Sequence, residues 1–142
     1  GIRARNPGVH VQAADAQAVY GRDHVLGVLK IVFEALERGV MIANRPEAEA
    51  LLRLACTDQI EEAIRRAGLK SGRAGCFFAF SREDGLVRRL GEQLAQEFAL
   101  DDSVIEPGRG KRTALARRLE IKAAGGEFVD HLLERAAILV KD

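Results

Sequence analysis

Gly75-Cys76-Phe77-Phe78-Ala79-Phe80 is the stretch on which the fold turns. It is an apolar run of strand length, preceded by the glycine-rich Gly68–Ala74 and followed by Ser81-Arg82-Glu83-Asp84. Shortness, aromatic content and bounding turn residues predict a buried strand. Outward from it, Val9–Ala14 (V-H-V-Q-A-A) alternates apolar and polar and predicts a second strand. Val40–Ala43 and Asp101–Glu106 (D-D-S-V-I-E) read as two more short strands. The remainder is helical in pattern. Val25, Val28, Leu29, Val32 and Leu36 fall at helical spacing over Arg22–Arg38, ahead of a stop at Gly39. Asn44-Arg45-Pro46-Glu47 reads as a capped helix start, and Asp58 with Glu61 as another that closes at Gly68. Three further helices are expected over about residues 82–99, Lys111–Leu119 and Glu127–Val140, the last after an interruption at Gly125-Gly126. Helices around a short mixed sheet of about 3–5 strands make an α/β (α+β) fold, with residues 1–142 as a single domain.

The bulk properties agree with that reading. A chain of 142 residues is one ordinary domain, long enough to bury roughly 68–70% of its extended surface. With 47% apolar and 30% charged residues it escapes global disorder. No apolar run approaches the ~20 residues of a membrane-spanning helix. No signal-peptide pattern opens the chain, so a cytoplasmic location is expected. Cys56 and Cys76 are too few for a disulfide scaffold and read as small buried hydrophobes.

The search for chemistry leaves little. His10, His24 and His131 are scattered, with no H-E-x-x-H or C-x-x-C spacing, so neither a metal nor a cofactor is expected. The glycine-rich segment precedes a strand, whereas a phosphate-cradling loop feeds a helix N-terminus. Carboxylate pairs such as Glu61–Glu62 and Asp101–Asp102 are adjacent and point in different directions, which makes poor catalytic dyads. No catalytic residue is assigned. Charge is the better signal. Arg65, Arg66, Lys70 and Arg73 form one basic run, and Arg109, Lys111, Arg112, Arg117, Arg118 and Lys122 form a second, diluted by Glu120. Acids gather at Glu47, Glu49, Asp58, Glu61 and Glu62, so a net charge of +1 hides a local polarity. Such basic clusters can neutralise phosphates through counterion release; the bland alternative is a solvated face.

The run Ala55–Gly72 (A-C-T-D-Q-I-E-E-A-I-R-R-A-G-L-K-S-G) resembles the central signature of the small regulatory subunit of the KEOPS complex, the CGI/TPRKB family. The likeness includes Glu47–Leu54 before it, Asp23-His24-Val25-Leu26, Asp101–Glu106, and Ile121-Lys122 followed by Gly-Gly and an amphipathic helix. Order and spacing agree from about Val9 to Val140. The resemblance implies a non-catalytic protein that docks on the amino-terminal lobe of the KEOPS kinase subunit and stimulates it. It also implies binding of the tRNA 3′ CCA end, for modification of the adenosine beside the anticodon with threonylcarbamoyl. Two positions depart from the family pattern: Asp58, where relatives often carry a basic residue, and Ala123-Ala124-Gly125-Gly126, where they tend to have a bulkier one.

On this basis the tRNA contact is expected at Gln59, Arg65, Arg66 and Lys70, with Arg53 in support and Asn44 reaching unpaired bases. The kinase contact is expected on exposed apolar faces through Val28, Val32, Leu132 and Leu133. Neither a membrane nor a small-molecule substrate is expected. Two other readings stay open: a small-molecule enzyme using His24 or Cys76, and a protein-binding module without RNA contact.

Overall fold

Both predicted strands form, and they pair with each other. In the computed structural model β1 (His10–Asp15) and β2 (Gly75–Phe80) lie antiparallel, with His10 opposite Phe80 and Asp15 opposite Gly75. The structure describes residues 8–122 and 127–140. Alternation gives the pair two apolar faces. Ala14, Phe78 and Phe80 look into the main core, built on α1 (Arg22–Arg38), α2 (Pro46–Ala55) and α3 (Ile60–Ala67). Val11, Phe77 and Ala79 look the other way, onto Leu86, Leu90 and Leu94 of α4 (Asp84–Glu97). A third cluster joins Leu115 and Leu119 of α5 (Arg109–Leu119) to Phe128 and Leu132 of α6 (Phe128–Ala137). The fold is mixed α+β.

Among the described residues the sheet has two strands, not the three to five expected. Side chains divert both missing segments. The Ala43 N–H, which a strand would present to a neighbour, donates instead to Glu49 Oε1 at 2.7 Å, and residues 40–45 form an irregular loop. At Asp101 the carboxylate accepts the Ser103 N–H at 3.0 Å, an Asx turn that winds Asp102–Ile105 into a 3-10 helix.

The predicted caps fail in a similar way. Arg45, not Asn44, occupies the N-cap of α2, and Gln59, not Asp58, that of α3; neither makes a side-chain capping bond. Ser81 Oγ accepts the Glu83 N–H, which delays α4 to Asp84. The expected interruption at Gly125-Gly126 and the departure at 123–126 lie outside the described residues.

Two helix ends do follow the sequence. Gly39 closes α1 in the left-handed conformation at φ 67°, as a C-cap glycine does. Gly68 closes α3 through its N–H to the Ile64 carbonyl. Gly27 serves packing: a Cβ there would lie 2.5 Å from the Leu133 methyls, so its absence lets α1 and α6 meet closely.

That packing corrects the expected partner surface. Val28 and Val32 are fully buried, Leu132 is buried against Phe128, and Leu133 sits half-buried over Gly27. These four residues hold α1 and α6 inside the fold. The large apolar side chains left exposed lie elsewhere, among them Leu26, Ile60, Ile64 and Leu69.

Candidate nucleic-acid interface

Helix α3 is short and sharply two-sided. Ala63 and Ala67 are its buried residues, because their small side chains let the helix lie close on the core. Ile60 and Ile64 are about half exposed at 45% and 54%. Beside them Glu62 holds both arginines of the helix. Arg65 bonds it from one turn on through Nε at 2.9 Å and through Nη2, and Arg66 Nε reaches it at 2.7 Å. The bond from Arg65 leads in holding the Glu62 carboxyl below its usual range, and Glu62 in turn raises the Arg65 guanidinium further.

The two arginines differ in freedom. The Arg65 side chain is 70% exposed; that of Arg66 is 25% exposed and its Nη1 also donates to the Ala55 carbonyl at 3.1 Å. Lys70 folds back on the helix end, its Nζ donating to the Ile64 and Gly68 carbonyls at 3.2 and 2.9 Å. Cations favour this negative end of the helix dipole. Arg73 stands 3.6 Å from Asp15.

The second basic run divides by burial. Lys111 is buried, donates to the Val104 carbonyl at 3.0 Å, and has its pKa lowered by that burial. Arg112 lies over the Phe128 ring, 5.0 Å from its centre, a cation–π contact. Arg109, Arg117, Arg118 and Lys122 are exposed. Arg118 Nη1 donates to the Arg66 carbonyl at 2.7 Å, which joins the end of α5 to the end of α3. Residues 52 apart in sequence thus carry both basic runs onto one surface. Arg66 and Arg118 line a small crevice there, floored by Leu54, Leu115 and Leu119.

One expected contact needs correcting, and two others stand apart. Arg53 is 3% exposed and faces inward: Nε donates to Glu49 Oε2 at 3.0 Å and Nη1 to the Ala136 and Leu139 carbonyls at 2.9 and 2.8 Å. Asn44 is exposed but precedes α2, whereas Gln59 follows it, so the helix separates them by roughly 15 Å at 1.5 Å per residue. Gln59 is exposed at the start of α3, its Nε2 donating to Asp58 Oδ1 at 3.1 Å. The start and the end of α3 are therefore distinct places. The basic side chains Arg65, Arg66 and Lys70 gather at the end, while Gln59 stands exposed at the start, one short helix away.

The two groups of the enzyme reading are poorly set for reaction. His24 is buried, and its Nδ1 accepts the Tyr20 N–H at 2.9 Å. Burial, with help from the charge of Lys111, pushes its pKa down to about 4, so it is a weak base. Burial pushes the Cys76 thiol up to about 11, overcoming Lys111, which favours the thiolate; Cys56 is likewise raised to about 11. A cleft of about 500 Å³ lies between the end of α1 and residues 137–140, bordered by Glu34, Arg38 and Arg53; neither His24 nor Cys76 lines it. Among the described residues no group of three or more His, Cys, Asp or Glu could hold a metal ion. No helix among them is long and apolar enough to cross a membrane.

A scan against protein-family models gave no match for this chain, and a search of curated proteins gave none either.

Proposed function

We propose that this protein is a non-catalytic regulatory subunit of the KEOPS type, which binds tRNA and docks on the kinase subunit of that complex. The observation that carries the reading is the Arg118–Arg66 bond, which merges two basic runs into one surface. Phosphates of a single-stranded 3′ end meet Arg65, Arg117, Arg118 and Lys122 there, while its bases remain free to stack or bond. Each of these cations is exposed. Ile60 and Ile64, exposed on the same short helix, supply the apolar patch beside a basic one that a docking subunit needs. The low basicity of His24 and the high pKa of Cys76 weigh against the small-molecule enzyme.

A protein-binding module without RNA contact remains the second reading. It is favoured by the pairing of Arg65 and Arg66 with Glu62 and of Lys70 with backbone carbonyls, which shows how these cations serve the fold alone. One experiment separates the two: tRNA binding measured against salt, alongside co-purification with the kinase subunit. Regulatory tRNA binding gives an affinity that falls with salt at a slope of about −0.7 per phosphate neutralised on a single strand. The plain module retains the kinase and shows no such binding. Retention of neither overturns the proposal.

A further inference from the structure

The outer edge of β2 is open, and its geometry is self-complementary. The Ala16 N–H bonds the Ala74 carbonyl at 3.0 Å, continuing the register in which Asp15 faces Gly75. Hydrogen-bonded pairs alternate along an antiparallel ladder. Cys76, Phe78 and Phe80 therefore direct their backbone groups to β1, while Gly75, Phe77 and Ala79 direct theirs outward. The same parity holds on β1, where the outward Ala13 N–H is taken by its neighbour's Gln12 Oε1 and Gln12 Nε2 reaches the Glu47 carbonyl on α2. That edge is covered. Among the described residues no hydrogen bond is made to the outward groups of Phe77 and Ala79, and the strand G-C-F-F-A-F carries no charge, proline or bulge of the kind that protects an exposed edge.

We propose that β2 pairs antiparallel with β2 of a second copy of this chain, about a twofold axis beside Phe77. Three outward residues spaced evenly about Phe77 pair Phe77 with Phe77 and Gly75 with Ala79, twice, giving about six backbone hydrogen bonds in a closed isologous contact. The sheet becomes four-stranded, which relieves the marginal stability of a two-stranded one. Side chains support this occupant. Phe98 is 45% exposed and leans on Phe77 with ring centres 5.3 Å apart. Directly opposite residues share a face, so the twofold brings both Phe77–Phe98 pairs together. Leu69, 58% exposed, lies over Gly75 at the other end of the same edge. Charge is complementary too. Lys70 and Arg73 precede β2, Arg73 being partly offset by Asp15 at 3.6 Å, while Glu83 and Asp84 follow it with Arg82 between them and the strand. Antiparallel pairing sets the basic end of one copy beside the net acidic end of the other.

The contact is smaller than the roughly 800 Å² per partner of a standard interface, so dimerisation is expected in the range of about 10 μM. Sedimentation velocity over a hundredfold range of concentration, paired with amide exchange, tests it. The expected result is a monomer–dimer equilibrium in which the Phe77 and Ala79 amides gain protection as the dimer forms. Ala79→Pro, which removes an outward donor and no β1–β2 bond, and Phe98→Lys each shift the chain to monomer at least tenfold. Should Ala79→Pro not fold by circular dichroism, Phe98→Lys and the amide protection decide. A wild-type chain that stays monomeric throughout overturns the proposal, including the case in which another protein's strand occupies the edge. So does a dimer that survives Phe98→Lys or leaves those amides unprotected.

Discussion

Two glutamate–arginine clusters stand on successive helices, built from the same residue types at the same one-turn spacing. Glu49 and Arg53 on α2 are buried and densely bonded: the carboxylate accepts the Ala43 N–H and the guanidinium, and the guanidinium donates to two carbonyls beyond α6 or at its end. Glu62, Arg65 and Arg66 on α3 lie at the surface, where water competes and Arg65 is free to swing. The buried cluster holds three separate segments at one point. The exposed one stores positive charge under a carboxylate that an incoming phosphate can displace. Burial, and not composition, decides which cluster is architecture and which is available for binding.

The strongest way to break this contrast is Arg53→Met. It leaves the Glu49 carboxylate buried without its partner and should cost about 3–5 kcal/mol in urea unfolding. The double variant Glu49→Leu/Arg53→Met, which removes both charges, should recover most of that loss; a double variant as unstable as the single would show that the bonds to the Ala136 and Leu139 carbonyls dominate.

Acid provides a second stress. His24 titrates near 6.5 unfolded and near 4 folded. As the pH falls below 6.5 the unfolded chain takes up a proton that the folded chain refuses. Stability contributed by neutral His24 is therefore complete above 6.5 and lost progressively down to about 4, a total of about 3 kcal/mol. Unfolding free energies at pH 7 and pH 4.5 check this, with His24→Gln expected to flatten the difference. An unchanged slope in that variant would place the acid sensitivity elsewhere.

The exposed cluster is sharpened by charge. Replacing Arg66 and Lys70 would disturb the helix end, since both donate to main-chain carbonyls. Arg65→Glu, Arg117→Glu and Lys122→Glu together avoid those bonds and should weaken tRNA binding more than tenfold, with a shallower salt slope and a nearly unchanged melting midpoint. Equal binding by this triple variant and the wild type would sink the merged basic surface as the RNA site. The mildest change is Glu62→Gln. By releasing Arg65 and Arg66 from a full negative charge it should tighten tRNA binding roughly a few-fold at low salt and make no difference at high salt.

Much of the fold was readable because period and burial coincide in it. G-C-F-F-A-F could be a strand and little else, and the 3.6-residue spacing of Val25, Val28, Val32 and Leu36 sets α1. Failures came where one side chain redirects the backbone. Nothing in the pattern at 40–43 reveals that Glu49 claims the Ala43 N–H, and D-D-S can start a turn as well as a strand. The basic surface was half legible: both runs are evident in the sequence, but their meeting through Arg118 and the Arg66 carbonyl depends on tertiary packing. Arg53 was misjudged for a physical reason. Its neighbours Leu51, Leu52, Leu54 and Ala55 are buried with it, and an arginine amid such a run signals an internal partner, which the acid four residues earlier supplies.

Arg53 also sets a timetable. Its carbonyl partners lie 83 and 86 residues downstream, so a chain growing from the ribosome has made the whole of α2, with Glu49 already beside the guanidinium, long before those two carbonyls exist. Synthesis at about 5–20 residues per second leaves an interval of several seconds. Throughout it the half-built core must either keep Arg53 in water or bury it with Glu49 alone, short of its two carbonyl partners. Closing so long a loop is slow by entropy alone. The seam between α2 and α6 is therefore expected to be among the last parts of the fold to close.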